Sequence, residues 1–186
     1  MADCTDLNTL LEAVLDAAVD ALDSIPGAAP GLEGAPARQY ITDGQPALPV
    51  GCPQVSVNVG PSIREGATAP LGLDAGLRHK YDGWINQVGI QVWFTRCRPN
   101  TGSPPDPTAL SEHSAQHNAD GWAMWNYMHN INRAGSTDPI VSLCTEWFMD
   151  SLTPLSPSGT LSGWVLNVRA ELAGYGDGTD PGGTPP

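Results

Sequence analysis

Between residues 5 and 27 the chain reads TDLNTLLEAVLDAAVDALDSIPG, with apolar side chains at Leu7, Leu10, Leu11, Val14, Ala18, Ala21, Leu22 and Ile25. Spacing by threes and fours puts them on one side of an α-helix. Thr5 or Asp6 suits the cap at its start, and Pro26-Gly27 stops it. Glu12, Asp16, Asp20 and Asp23 follow one another at intervals of four, four and three, so they line a single stripe opposite the apolar side. Carboxylates so spaced, with no cation between them, repel one another mildly. The stripe is therefore either plainly solvated or used by something that tolerates a purely acidic face.

Further along, the period changes from that of a helix to that of a strand. ARQYIT (37–42) fits a short strand, and CPQVSVNVG (52–60) alternates strictly, Val55, Val57 and Val59 against Gln54, Ser56 and Asn58. After a turn signal at Asp82-Gly83, residues 84–96 alternate through Val88, Ile90, Val92 and Phe94, about twice the usual strand length. Such a strand either bends at Gly89 or projects beyond the body to pair with a neighbour. Residues 100–135 read as a proline-rich lead and a second helix, capped by Thr108 or Ser111 and stopped at Gly135. On it Ala115, Ala119, Trp122 and Asn126 share a face, flanked by Trp125 and His129. PIVSLCTEWFMDSL (139–152) fits a helix or a strand, and PLSPSGT (154–160) reads as a loop. GWVLNVRAEL (163–172) alternates again. The expected fold is α+β: a mostly antiparallel sheet flanked by two helices, in one domain over residues 1–172. Residues 26–50 and 60–80 are expected as loop insertions. The last fourteen residues, 173–186, hold too few apolar groups to offset the entropy of ordering them, and are expected to be a tail that only a partner holds.

Composition narrows the classes. The chain has 186 residues with 8 basic and 20 acidic side chains, a formal charge of −12, and 21 glycines and 18 prolines make it rich in loops. Seven acids precede Arg38, the first basic residue. So acidic a chain is ill suited to phosphate backbones or anionic membranes. Its start is acidic, without the basic and apolar regions of a secretory signal, and no apolar run is long enough to span a bilayer. Cys4, Cys52, Cys97 and Cys144 are scattered and form no C-x-x-C pair, so reduced, buried thiols are expected.

Candidate chemistry is sparse. His113 and His117, in HSAQH, have the four-residue spacing of a shared metal but lack the protease glutamate and an obvious third ligand. Cys97 between Arg96 and Arg98 has the flanks of an activated thiolate, yet no local signature announces a base or an oxyanion hole. Residues 96 and 98 share one side of the extended chain and 97 lies opposite, so Cys97 is expected to be buried and both charged arginines to face outward, paired with carboxylates within the fold or across a subunit boundary. Trp84, Trp93, Trp122 and Trp125 are expected as core and interface anchors. No catalytic, cofactor or metal residue is assigned, and no cofactor is expected.

The order of segments adds a resemblance. An acidic N-terminal helix, the cysteine-led strand GCPQVSVNVG, the strand VGIQVWFTRCRPN, a loop containing PP, the helix segment HNADGWAMWNYM and the strand GWVLNVRAEL follow in turn. TRCRP, followed within about twenty residues by an Asp-bearing helix, is the most telling piece. Over residues 1–172 this series resembles the tail-terminator (head–tail junction) proteins of long-tailed phages, particularly those infecting actinobacteria. The resemblance implies a structural virion protein with a tail-tube-like fold and no catalysis. It implies a ring, usually hexameric, that caps the tail tube, joins it to the head connector and leaves a channel for DNA. The implied partners are other copies of the chain, the major tail-tube protein and the head-to-tail stopper or connector, with no specific nucleic-acid binding and no membrane. The implied location is the virion neck, after assembly in the host cytoplasm. Arg96, Arg98, Trp93 and Arg169 are then candidate subunit-interface residues, and Glu12, Asp16, Asp20 and Asp23 a stripe facing the channel or a partner. Another neck protein, a stopper or adaptor, is the alternative within this class. A cytosolic enzyme with an unrecognised site and a monomeric binding module are the alternatives outside it.

Overall fold

The computed structural model describes residues 4–25, 34–43, 53–60, 87–98, 106–131, 136–158 and 161–172. The expected insertions at 26–50 and 60–80 fall largely outside these residues, as do Cys52, the turn at 82–83, Trp84, the Gly135 stop and the 173–186 tail.

The described elements run α1 (Cys4–Asp23), β1 (Arg38–Thr42), β2 (Gln54–Val59), β3 (Gln87–Cys97), α2 (Pro107–Asn130), α3 (Pro139–Leu143), β4 (Cys144–Ser158) and β5 (Leu161–Leu172). The strands form one open five-stranded sheet in the order β1-β2-β3-β5-β4. Only β1 and β2 pair in parallel; the other three pairings are antiparallel. The fold is therefore α+β with a mostly antiparallel sheet, as the pattern implied.

Alternation decides which face holds the helices. Val55 and Val57 of β2, Ile90, Val92 and Phe94 of β3, Leu166, Val168 and Ala170 of β5 and Trp147 of β4 share one core with the helices. To it α1 contributes Leu10, Leu11, Val14, Ala17, Ala18, Ala21 and Leu22, and α2 contributes Met124 and Met128. The N-terminal helix thus buries the side that its spacing predicted.

On α2 the face that the spacing groups is the outer one. Ala115, Trp122 and Asn126 lie on its exposed side, while His113, Gln116, Asp120, Gly121, Met124 and Met128 face inward. The buried stripe is polar for its first half, which is why hydrophobicity alone does not reveal it. Nor is Thr108 or Ser111 the cap. Asp106 Oδ1 accepts the Thr108 N–H at 2.9 Å, and Pro107 takes the first helical position, where its missing N–H costs nothing. The same device starts α3: Asp138 Oδ1 accepts from Ile140 N at 3.0 Å, with Pro139 at the first position.

The ambiguous stretch 139–152 divides into both options, α3 and then β4. The PLSPSGT loop is also corrected, because β4 continues through Pro154 to Ser158. Among the described strands β4 pairs with β5 alone, and an edge strand tolerates proline because its outer N–H groups serve no ladder. Between β3 and β5, Gly163 sits opposite Thr95. A Cβ at Gly163 would lie 2.1 Å from the Phe94 carbonyl oxygen, so only glycine permits this approach.

Candidate functional site

Arg96 organises the region where the TRCRP segment meets the Asp-bearing helix. Outward placement of Arg96 and burial of Cys97 are both overturned: Arg96 is 5% exposed, and Cys97 lies on the exposed side of the strand end. The parity is reversed because Arg96 shares the helix-packed face with Phe94. There its guanidinium meets Asp120 of α2 in a two-point pair, Nε to Oδ2, and Nη2 to Oδ1 at 2.9 Å. Asp120 is fully buried. Its Oδ1 also accepts from Gln116 Nε2 at 2.9 Å.

The other side of Arg96 extends the network to α1. Nη2 donates to the Gly34 carbonyl at 3.0 Å. Gly34 has φ +68°, a left-handed conformation that suits glycine. Beside it, Ala35 N–H donates to Asp23 Oδ1 at 2.6 Å. The end of α1, the 34–35 turn, β3 and α2 are thus joined by a continuous polar chain. A buried ion pair with its remaining lone pairs satisfied holds these elements in one arrangement.

The two histidine rings meet different partners. His113 Nε2 lies 3.4 Å from Ser162 Oγ, with both residues buried. His117 stacks on Trp164 at 4.9 Å between ring centroids, and its carbonyl accepts the Trp164 indole N–H at 2.8 Å. Burial lowers the pKa of both. For His113 the Arg98 and Arg96 charges add to this, while a hydrogen bond with the Cys97 backbone and the Asp120 charge oppose it. Among the described residues no group of three His, Cys, Asp or Glu could hold a metal.

Cysteine chemistry departs from expectation at one position. Cys97 is disulfide-bonded, with a partner outside the described side chains, so a reduced thiol is not what stands between the arginines. Cys144 is free and buried, with its pKa pushed up to about 11, chiefly by burial.

The remaining candidate residues scatter. Trp93 is largely buried on the sheet face opposite the helices. Arg169 chelates Asp150, donating from Nε to both carboxylate oxygens at 2.9 Å, and its guanidinium lies 5.7 Å from the Phe148 ring centroid. Arg98 is half-buried and makes no ion pair among the described residues. Glu12, Asp16, Asp20 and Asp23 are all exposed along α1.

Two surfaces went unremarked in the sequence. One is the sheet face opposite the helices, where a polar ladder crosses four strands. Asn58 Nδ2 donates to Gln91 Oε1 (3.4 Å), Gln91 Nε2 to Asn167 Oδ1 (2.8 Å), and Asn167 Nδ2 to Ser151 Oγ (3.0 Å). Beside it Gln54 Oε1, Ser56 Oγ, Asn58 Oδ1, Trp93 Nε1 and Thr95 Oγ1 are buried with no hydrogen-bond partner among the described residues. The other surface is a cleft of about 460 Å³ between α2 and the β4–β5 ribbon, lined by Asn118, Gly121, Trp122, Trp125, Leu152 and Trp164. Trp122 is 65% exposed there. Trp122 and Trp125 were legible as anchors, but Trp164 was not legible as their neighbour, since it lies 39 residues beyond Trp125 in the chain.

Compared with known families and with curated proteins, the chain matches no family model and no curated protein.

Proposed function

We propose that the chain is a structural ring subunit of a phage head–tail junction, a tail terminator that caps the tail tube and joins it to the head connector. The observation that carries this reading is an open sheet with two unlike edges, the five-residue β1 and the fifteen-residue β4. A ring needs a heterologous contact, in which one surface meets a different one, and an unpaired strand edge invites such pairing. The resemblance along residues 1–172 supplies the biological setting, the virion neck, and it assigns the chain no catalysis. An exposed acidic stripe on α1 and a charge of −12 suit the wall of a conduit that must not retain phosphate backbones. The partners in this reading are further copies of the chain, six to a ring by the resemblance, together with the tail-tube protein and the connector. Trp93, Arg98 and Arg169 remain its interface candidates, whereas Arg96 acts within the fold.

Native mass measurement and particle imaging of the purified chain test the proposal. Closed rings with a channel wide enough for duplex DNA, or binding to tail tubes, are the expected result. A strictly monomeric protein that also fails to bind tail tubes would overturn it.

A further inference from the structure

Sheet register and helix length together select the partner of the Cys97 disulfide. Cys97 is bonded and Cys144 is free, which leaves Cys4 and Cys52. β2 and β3 pair antiparallel, with Gln54 opposite Thr95 and Val55 opposite Phe94. Each step back along β2 matches a step forward along β3, so position 52 falls opposite Cys97. There β3 is still a strand, paired on its other side with Leu161. Cys52 adjoins Pro53, the first described residue of its stretch. Directly opposed residues in an antiparallel pair have Cα atoms about 4.5–5.5 Å apart, within the about 4.4–6.8 Å of a disulfide. Facing agrees as well. Counted by twos, Cys97 shares the side of Thr95 and Trp93, and position 52 that of Gln54 and Ser56, away from the helices.

Cys4 fails on both distance and face. It begins α1, and the far end of that helix holds the turn beside Arg96: Asp23 accepts from Ala35, and the Gly34 carbonyl accepts from Arg96. The 20 residues between these ends make about 30 Å of helix. α1 also packs on the sheet face that Cys97 does not share.

We propose that Cys52 and Cys97 form a cross-strand disulfide that ties the end of β3 to β2. Its formation takes one hydrogen from each thiol; the two protons and two electrons pass to a small-molecule disulfide such as oxidised glutathione, which leaves as two thiols. The bond bears on the buried ion pair. Arg96 is the next residue, held by Asp120 on the opposite face, and the Cys97 backbone bonds His113 of α2. Fixing Cys97 therefore fixes the strand end from which Arg96 crosses the seam.

Peptide mapping of the full chain tests the pairing. Arg38, Arg64, Arg96 and Arg133 separate the four cysteines, so trypsin puts each on its own fragment. Wild-type chain equilibrated with oxidised glutathione, alkylated and digested without reductant should give one linked pair, Cys52 with Cys97, which reduction splits. A link from Cys97 to Cys4, a link between two chains, or no link overturns the assignment. Cys52→Ser and Cys97→Ser should lower the folding equilibrium constant equally, by about 30- to 1,000-fold, and abolish its response to reductant, whereas Cys4→Ser should do neither. A Cys52→Ser variant that still responds to reductant as the wild type does would also overturn it. On reduction of the wild-type chain, amide exchange should quicken at residues 95–98; unchanged exchange there would overturn the hold on the Arg96 strand end.

Discussion

Arg96, near the end of β3, and Asp120, in the second half of α2, form a buried two-point ion pair across the seam between sheet and helix. Neither side chain is more than 6% exposed. Removing one partner leaves the other charged and unpaired in the interior. Arg96→Ala or Asp120→Ala should therefore destabilise the chain by about 3–5 kcal/mol, read from the denaturant midpoint. Replacing both together, Arg96→Met with Asp120→Leu, should recover much of that loss, because an apolar pair leaves no orphaned charge. A double variant as unstable as the worse single one would show that the network matters beyond its charges.

Unpartnered polar atoms predict the opposite sign. Thr95 Oγ1 is buried on the sheet face away from the helices and has no partner among the described residues. Thr95→Val keeps the shape and removes the hydroxyl, so it should be neutral or stabilise by up to about 1 kcal/mol. A loss of about 1–3 kcal/mol would instead reveal an ordered water or another polar group bound there. Thermal midpoints of the two proteins decide between these outcomes.

Much of this architecture is legible in the sequence, and the misses have physical causes. The period of α1 and the alternation of β2, β3 and β5 follow directly from which side chains leave water. Alternation also places Val92 and Phe94 correctly, yet the same rule carried one step further puts Arg96 inside and Cys97 outside. Charge argued against that step, because a guanidinium enters a core only when a carboxylate already waits there. Asp120 is that carboxylate, and its position facing Arg96 depends on tertiary packing. Asp106-Pro107 and Asp138-Pro139 were readable as helix starts, since aspartate at the cap and proline at the first position act together. The edge position of β4, which lets Pro154 stay in a strand, is visible only once the sheet order is known.

Acid should weaken the fold through the histidines. Burial is the leading cause that lowers the pKa of both His113 and His117 from the ordinary 6.5, so the folded chain favours their neutral forms. A group whose folded pKa lies below its unfolded value binds more protons when unfolded. Its contribution is complete above pH 6.5 and declines as the pH falls below that value towards the folded pKa. Stability measured between pH 7.5 and 5 should fall with acidity, and His113→Gln should flatten the slope. An unchanged slope in that variant would assign the acid sensitivity elsewhere.

The disulfide at Cys97 should be visible as a mass increase on reduction and alkylation. Disulfides persist in oxidising surroundings and are rare in a reducing cytosol. A chain with the proposed neck role meets both, being assembled in one and released into the other. Reduction should lower stability by about 2–4 kcal/mol, whereas Cys144, free and with its pKa raised to about 11, should react with alkylating reagents only after unfolding. Rapid alkylation of Cys144 in the native protein would contradict its burial.

The acidic stripe divides into two parts that mutation can separate. Asp23 accepts the Ala35 N–H and so helps hold the turn whose Gly34 carbonyl receives Arg96. Asp23→Lys should destabilise the fold by removing that acceptor and placing a cation near a buried guanidinium. Glu12 and Asp16 are exposed and make no such contact among the described residues, so Glu12→Lys/Asp16→Lys should leave the unfolding free energy within about 0.5 kcal/mol of wild type. That pair isolates the electrostatic role proposed for the conduit wall. Duplex DNA binds where cations release its counterions, most strongly at low salt. The unmodified chain should show no duplex binding in a gel-shift titration at low salt, and the double lysine variant, once assembled, should retain DNA that the wild-type assembly releases. Tight duplex binding by the wild-type chain would sink the conduit reading. Unchanged DNA release by the double variant would leave Glu12 and Asp16 a plain solvated surface, with α1 serving the fold through its apolar side, Asp23 and the Asp20 contact with Tyr127.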